Sequence, residues 1–368
     1  MSTPFNLETI CRLFNLNGEF IEYKRNTNGH INSTFILSFK EDGEIKKYVL
    51  QKISTEIFKN PEGLMNNIVG VTKHIRKKND DMNTPWADRC TLTFLPTTDG
   101  KYFYLDEGNS CWRVYEFIDN VYTCNAIENS NDFYNAGVAF GEFQNLLADY
   151  DSSTLVETIP NFHNTVSRFA DFKKAVDDNK SGRLHNVKDE VEFALAREKD
   201  AHVLVDLIAE GKLPLRVTHN DTKLNNILFD NETNKGICII DLDTVMPGLS
   251  LYDFGDSIRF GANTAAEDEK DVSKVSLSLP LYEAYVKGYL SSAKNALTDL
   301  EKELLPFGAK LMTYECGIRF LMDYLNGDVY FHTDYDDHNL VRTRTQFALV
   351  ADMEKKMDKM QEITKKYC

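Results

Sequence analysis

The chain has 368 residues, enough for two lobes of ordinary domain size, and its hydrophobic (42%) and charged (27%) fractions are those of a globular protein with a large core. A formal net charge of -15 argues against a nucleic-acid backbone or an anionic membrane as partner, and leaves room for a nucleotide held through a metal ion. The cysteines number seven, odd and without a Cys-x-x-Cys pair, a reduced-thiol pattern that points to the cytoplasm. No basic-then-apolar leader opens the sequence, no apolar stretch approaches a membrane span, and nothing calls for an obligate protein partner.

In chain order, apolar spacing predicts a short amphipathic helix over 5–16 and strands over 20–24 and 34–40, joined by a turn at 26–33. A Glu-Asp-Gly-Glu turn at 41–44 sends the chain back as a strand over 47–53, and a helix suits 62–78. Short strands follow at 92–95, 101–105 and 112–118. Beyond Asp119 the period changes. Phe133, Gly137, Phe140, Phe143 and Leu147 recur at helical spacing over 132–149, and further helices fit 164–178, 187–210, 280–291, 300–325 and 339–366. The fold class is therefore α+β: a small β-rich lobe over 1–118, then a larger, mainly helical lobe over 119–368, the two-lobed layout of a protein-kinase-like fold.

One stretch of the second lobe carries chemistry. Residues 217–230 read Val-Thr-His-Asn-Asp-Thr-Lys-Leu-Asn-Asn-Ile-Leu-Phe-Asp, and 239–243 read Ile-Ile-Asp-Leu-Asp. This is His-x-Asp-x-x-x-x-Asn followed by a strand ending in a carboxylate, the form of a kinase catalytic loop and its metal strand. Phosphoryl transfer needs a carboxylate to orient and deprotonate a hydroxyl, so Asp221 is the expected base. It also needs hard oxygen donors for Mg2+ on the phosphates of ATP, and Asn226 and Asp241 supply them. Asp243 lies on the same side of an extended segment as Asp241, as a second metal ligand or as a group behind the first. His219 is expected to brace the loop. Lys223 is placed to reach the transferring phosphate, or is a surface lysine.

In the small lobe, the turn containing Gly29, Asn32 and Ser33 is the candidate phosphate cover, with one glycine where a protein kinase has three. The strand over 112–118 should end in the hinge, with backbone groups of Glu116, Phe117 and Ile118 binding the adenine edge; a plain core strand would equally explain Val114 and Phe117. The strand at 48–53 places Gln51 where a kinase has its ATP-binding lysine, and alternation turns Lys52 to the other face. The helix over 62–78 has no Glu after Glu62. The usual Lys–Glu clamp is thus missing: either Gln51 contacts phosphate as a neutral donor, or ATP is held differently.

Residues 217–228 together with 239–248 resemble the aminoglycoside and choline phosphotransferase superfamily. The segments Asn-Gly-His-Ile-Asn-Ser-Thr at 28–34, Tyr-Asp-Phe-Gly-Asp-Ser-Ile-Arg-Phe-Gly at 252–261 and Glu-Cys-Gly-Ile-Arg-Phe-Leu-Met-Asp-Tyr-Leu-Asn-Gly-Asp-Val-Tyr-Phe at 315–331 narrow the resemblance to its N-acetylhexosamine 1-kinase branch. The resemblance implies ATP- and Mg2+-dependent phosphorylation of the anomeric hydroxyl of N-acetylglucosamine or N-acetylgalactosamine. It makes His30 and Arg319 sugar ligands, with Phe260 and Tyr330 lining the pocket. From its helix alone, Arg319 could instead pair with Asp253, Asp256 or Glu315, because a charge in an apolar helix needs a partner. Asp253 and Asp256 are expected to brace the catalytic loop. The rival readings are a kinase for a cationic acceptor such as choline or an aminoglycoside, and an inactive kinase-like binding module.

Overall fold

The computed structural model describes residues 7–26, 32–127 and 129–368. Helix α1 (Leu7–Cys11) is shorter than its apolar spacing suggests and leads into the first sheet. Strands β1 (Glu19–Asn26), β2 (Ser33–Glu41) and β3 (Glu44–Ile53) form a meander, with Asp42 and Gly43 at positive φ in the turn between the last two. Helix α2 (Pro61–Asp81) follows, capped by Asn60, and then β4 (Tyr104–Leu105) and β5 (Cys111–Glu116) complete an antiparallel sheet of order β1-β2-β3-β5-β4. Alternation divides its faces. Phe35, Leu37, Tyr48, Leu50, Trp112 and Val114 pack with α1 in one core, while Thr34, Gln51 and Arg113 lie on the opposite face. The segment at 92–95 forms no ladder of its own. It lies beside β5 through a bridge from Phe94 to Tyr115 and a bond from Leu95 N to the Val114 carbonyl (2.9 Å).

Past β6 (Val121–Tyr122), helices α3 (Ser130–Leu146) and α4 (Thr165–Asp178) open the larger half. The helix expected over 187–210 is two, α5 (Lys188–Leu195) and α6 (Glu198–Ala209). The chain tightens between them, with Arg197 N bonded to the Ala194 carbonyl (3.0 Å), so that α5 packs on α10 and α6 on α4. Four short strands carry the central segment: β7 (Arg216–Thr218), β8 (Ile227–Asp230), β9 (Gly236–Ile239) and β10 (Met246–Gly248). Helices α7 (Ser250–Gly261), α8 (Leu279–Ala293), α9 (Asp299–Asn326) and α10 (His338–Tyr367) finish the fold.

Two contacts fix the central segment. Glu301 closes a capping box with Thr298 at the start of α9, and the same carboxylate takes Arg216 Nε (2.6 Å) and Ser250 Oγ (2.8 Å), tying β7 and α7 to that helix. Gly255 lets α7 press onto α9, since a Cβ there would meet the Gly308 carbonyl at 2.5 Å. No helix among the described residues is long and apolar enough to cross a membrane.

Candidate active site

The catalytic loop runs from β7 to β8, and α7 holds it by its backbone. His219 N (2.9 Å) and Asn220 N (2.8 Å) donate to the two oxygens of Asp253, and Thr222 N donates to Asp256 (3.1 Å). Ser257 Oγ donates to the Thr222 carbonyl (3.0 Å) and itself accepts from Tyr285 (2.7 Å). Burial pushes the Asp253 carboxyl above its ordinary range, partly offset by His219 and the loop amides. Asn220 sits at φ 64, a left-handed conformation that Asn tolerates, with its side chain donating to the Thr244 carbonyl (2.8 Å). The His219 ring is fully buried against Phe140 and Phe143. Its Nδ1 accepts from Asp221 N (3.2 Å), which assigns the proton to Nε2 facing the Ile240 carbonyl (2.8 Å). The ring thereby joins the loop to the strand that delivers Asp241.

Asp221 emerges from this scaffold partly open to the cleft. Its Oδ1 pairs with Lys223 Nζ (2.9 Å), and Asn226 Nδ2 donates to its carbonyl (2.8 Å) and, at 3.3 Å, to its Oδ2. Burial draws the Lys223 pKa down, but Asp221 and then Asp256 override it and the net shift is upward. Lys223 is therefore engaged with the expected base. Ile240 N bonds the Asn226 carbonyl (2.9 Å), bringing Asn226 beside the approach to Asp241. Asp241 adopts φ 59 at the head of a short 3-10 turn, residues 242–244. Its carboxyl opens on the cleft and is walled by protein elsewhere. That partial burial, with the charges of Asp243 and Asp221, pushes its pKa up to about 6, while water on the open side tempers the cost. An amide and a carboxylate together form a hard-oxygen donor pair of the kind that suits Mg2+ bound mainly through phosphate and water.

Asp243 points elsewhere. Only 3% exposed, it receives Arg113 Nη1 on Oδ1 and Asn32 Nδ2 on Oδ2 (2.6 Å), so both oxygens are occupied by the small lobe. Gln51 likewise faces Arg113, accepting from its Nε (2.9 Å) and Nη2 (2.7 Å). Sequence reasoning passed over Arg113; the available signal was a charge flanked by Trp112 and Val114 in an otherwise apolar strand. Ser33 begins β2, opposite Lys52. At the hinge, Glu116 N bonds the Thr93 carbonyl (3.0 Å) and Phe117 N the Lys47 carbonyl (3.2 Å). Those two amides are already used within the sheet lobe, leaving Ile118 N, which has no backbone partner among the described residues. Gly29 and His30 lie outside the described residues.

Arg319 forms no ion pair among the described residues, because its candidate partners are taken: Asp253 by the loop, Asp256 by Arg259 (2.8 Å) and Glu315 by His163 (2.8 Å). Its guanidinium lies instead over the rings of Phe162 (5.4 Å) and Phe331 (5.6 Å). Arg168 stands over the other contact to Phe162 (6.0 Å), and burial together with the charge of Arg319 lowers its pKa. Arg319 lies on α9, the helix that packs against α7, whose Asp253 and Asp256 stand behind the catalytic loop. Phe260 (37% exposed) and Tyr330 (64% exposed) are both open to solvent. Asp323, which the sequence did not single out, shapes this wall: it accepts from the amides of Val329, Tyr330 and Phe331 and from Asn339. A cavity of about 490 Å³ is lined by Phe162, His163 and Tyr252 and by Asn220 of the loop.

Residues 22–289 match the family model described as the phosphotransferase enzyme family. Among solved structures, the chain is similar to a spectinomycin phosphotransferase in complex with ADP and spectinomycin, at 10% identity and TM-score 0.58, covering 97% of this chain and 99% of that one. A microcompartment-associated aminopropanol kinase matches at 15% identity and TM-score 0.56, covering 96% of this chain and 98% of that one. A choline kinase from Cryptosporidium parvum Iowa II matches at 15% identity and TM-score 0.51, covering 97% of this chain and 96% of that one. At these identities the likeness is one of fold.

Proposed function

We propose that this chain, which belongs to the phosphotransferase enzyme family, is a kinase that transfers phosphate from ATP to O1 of an N-acetylhexosamine. The observation that carries the choice of acceptor is Arg319. Without an ion pair among the described residues, it rests on two aromatic rings and is placed in this reading on the acceptor side of the catalytic loop, a donor for a neutral, oxygen-rich ligand. With Arg168 on the same ring, this wall repels an ammonium group and covers the aromatic faces that would cage one. The sequence segments at 252–261 and 315–331 support the same acceptor.

In this reading the lobe over 1–118 receives the nucleotide and the lobe over 119–368 the sugar. Asp221 accepts a hydrogen bond from the anomeric hydroxyl and takes its proton as the oxygen attacks. That hydroxyl is more acidic than an ordinary alcohol, so the demand on the base is modest. Lys223 and Asn226 fix the carboxylate on both sides. Asn226 and Asp241 would hold Mg2+, which neutralises phosphate charge when bound. Asp243 stands behind that site, and Arg319, Phe260 and Tyr330 bind and orient the sugar, with His30 as a further ligand.

The solved relatives named for aminopropanol, choline and spectinomycin give a cationic acceptor the second place. ADP release with Mg2+ and ATP would be measured on N-acetylglucosamine, N-acetylgalactosamine, glucose, choline and kanamycin, for the native chain, Asp221→Asn and Arg319→Met. The expected result is turnover confined to the N-acetylhexosamines and yielding the 1-phosphate. Asp221→Asn should lower kcat by roughly a thousandfold. Arg319→Met should raise the sugar KM about tenfold or more with little change for ATP. Turnover on choline or kanamycin would remove the sugar assignment and keep the family; no turnover on any acceptor would favour an inactive binding module.

A further inference from the structure

We propose that Arg113 is the positioning cation of the nucleotide site, replacing from β5, and across the lobe boundary, the lysine–acid pair that β3 and α2 lack. The inference rests on the kinase reading above.

Register places Thr34, Gln51 and Arg113 side by side on β2, β3 and β5. Gln51 occupies the strand position of the missing lysine and is no substitute for it, because its amide carries no charge. It works as a bracket. Its oxygen accepts two guanidinium N–H groups, and its nitrogen donates to Thr34 Oγ1 (3.1 Å), which fixes which way the amide points. Two bonds to one acceptor lock the plane of the guanidinium, which a lysine at position 113 would not reproduce. On its remaining side α2 offers only Met65 Sδ (3.9 Å), where a carboxylate would complete a clamp within the small lobe.

The acid comes from the other lobe, as Asp243. With Arg113 and Asp243 each 3% exposed, the pair is stripped of water, and neither charge is tenable there without the other. Burial lowers the Arg113 pKa and the charge of Asp243 more than restores it. Asn32 Nδ2 holds the second Asp243 oxygen, and Asn32 Oδ1 accepts from Ser54 N (3.1 Å). A second tie comes from α2, where Asn67 donates to the Val245 carbonyl (2.9 Å). The small lobe therefore grips the turn after Asp241 at two points.

That grip matters because of what precedes it. Asp241 is held at φ 59, a left-handed turn conformation that Asp tolerates and that aims its side chain differently from an extended one. Arg113, through Asp243, fixes the turn that presents the Asp241 carboxylate. It also withdraws Asp243 from the cleft, leaving Asp241 and Asn226 as the oxygens that face a metal. Arg113 thus acts on the metal-dependent part of nucleotide binding without touching the nucleotide.

The test is equilibrium binding of adenosine, metal-free ADP and ADP with saturating Mg2+, measured by calorimetry on the native chain, Arg113→Met, Asp243→Asn, Gln51→Leu and the Arg113→Met/Asp243→Asn double variant, with a melting curve for each. Arg113→Met and Asp243→Asn should each weaken binding of ADP with Mg2+ about tenfold or more, while adenosine and metal-free ADP stay within about twofold. The double variant should lose no more than the worse single, because both act through one contact. Equal losses with and without Mg2+, additive losses in the double variant, or unchanged Mg2+-dependent binding would each overturn the proposal. If Arg113→Met does not fold, Gln51→Leu and Asp243→Asn carry the same comparison. Failure of the native chain to bind ADP at all, with or without Mg2+, would sink the kinase reading and this inference with it.

Discussion

The helical half of the site is built on backbone and the sheet half on side chains. On one side, the amides of His219, Asn220 and Thr222 donate to two carboxylates of α7, and Ser257 and Tyr285 support the next carbonyl. On the other, the small lobe reaches the site through Arg113, braced by Gln51, and through Asn32, both of which bond Asp243. A main chain anchored to a helix holds a base within tenths of an ångström and has no rotamer to escape into. A bridge of side chains between lobes can open and close with them. In the proposed reading the chemistry would therefore rest on the stiffer construction and the grip on nucleotide on the adjustable one.

The sharpest way to break that contrast is Asp253→Asn. An amide has one oxygen where the carboxylate has two, so either His219 N or Asn220 N would meet an NH2 group inside a fully buried site. The expected cost is on the order of 3 kcal/mol of stability. Displacement of Asp221 should lower kcat about a hundredfold, with ADP binding changed far less. Thermal melting and steady-state kinetics check both. Near-native turnover would mean that the loop holds its shape without α7.

The same contrast explains what could be read from the residues alone. The catalytic loop is a local pattern: Asp221, Asn226 and Asp241 declare themselves by spacing, because a loop, a turn and one strand bring them together within a short stretch of chain. Helix α7 was missed although Leu251, Phe254 and Ile258 form a short apolar stripe, because Gly255 and Gly261 break its helical signal and the buried Asp253 and Ser257 dilute it. The break at Arg197 was invisible because both halves keep one apolar period, sharing α9 as a neighbour while α5 also packs on α10 and α6 on α4. Arg113 was out of reach for a different reason. Its partners lie 62 and 130 positions away, and only strand register and lobe packing bring them within bonding distance. The hinge reading met the same limit, since the sequence marks the strand but cannot say which amides the sheet has already taken.

Where the halves meet, pH sharpens the comparison. Asp241 stands between Asp221 and Asp243, and its pKa rises from the ordinary 3.8 to about 6. A raised carboxyl pKa means that the metal-free native state binds more protons than the unfolded chain between those values. This group's contribution to stability therefore falls as pH rises from about 4 to about 6. Mg2+ binds only the carboxylate and reverses that slope. The rise in melting temperature on adding Mg2+ and ADP should be full above about pH 6.5 and fade below 6, with binding weakening about tenfold per unit beyond that. Asp241→Asn should remove the Mg2+ response at every pH. A response that persists unchanged at pH 5 would exclude Asp241 as the metal-facing group.

The smallest effects make the cleanest comparison, because the same chemical change can be made on either side. Ser257→Ala and Thr34→Val each delete one hydroxyl from a bracing network. Ser257 is 3% exposed, and its loss strands the hydroxyl of the buried Tyr285 and the Thr222 carbonyl. Leaving buried groups unpaired costs about 1–3 kcal/mol. Thr34 is half-buried at the edge of the cleft, and the Gln51 nitrogen it frees can turn to water while the Gln51 oxygen keeps its hold on Arg113. Its loss should cost less than about 1 kcal/mol. Denaturant midpoints on the two variants settle the ranking. If Thr34→Val proved the costlier, the sheet side of the site would be the stiffer one, and the division between a fixed base and an adjustable nucleotide grip would have to be reversed.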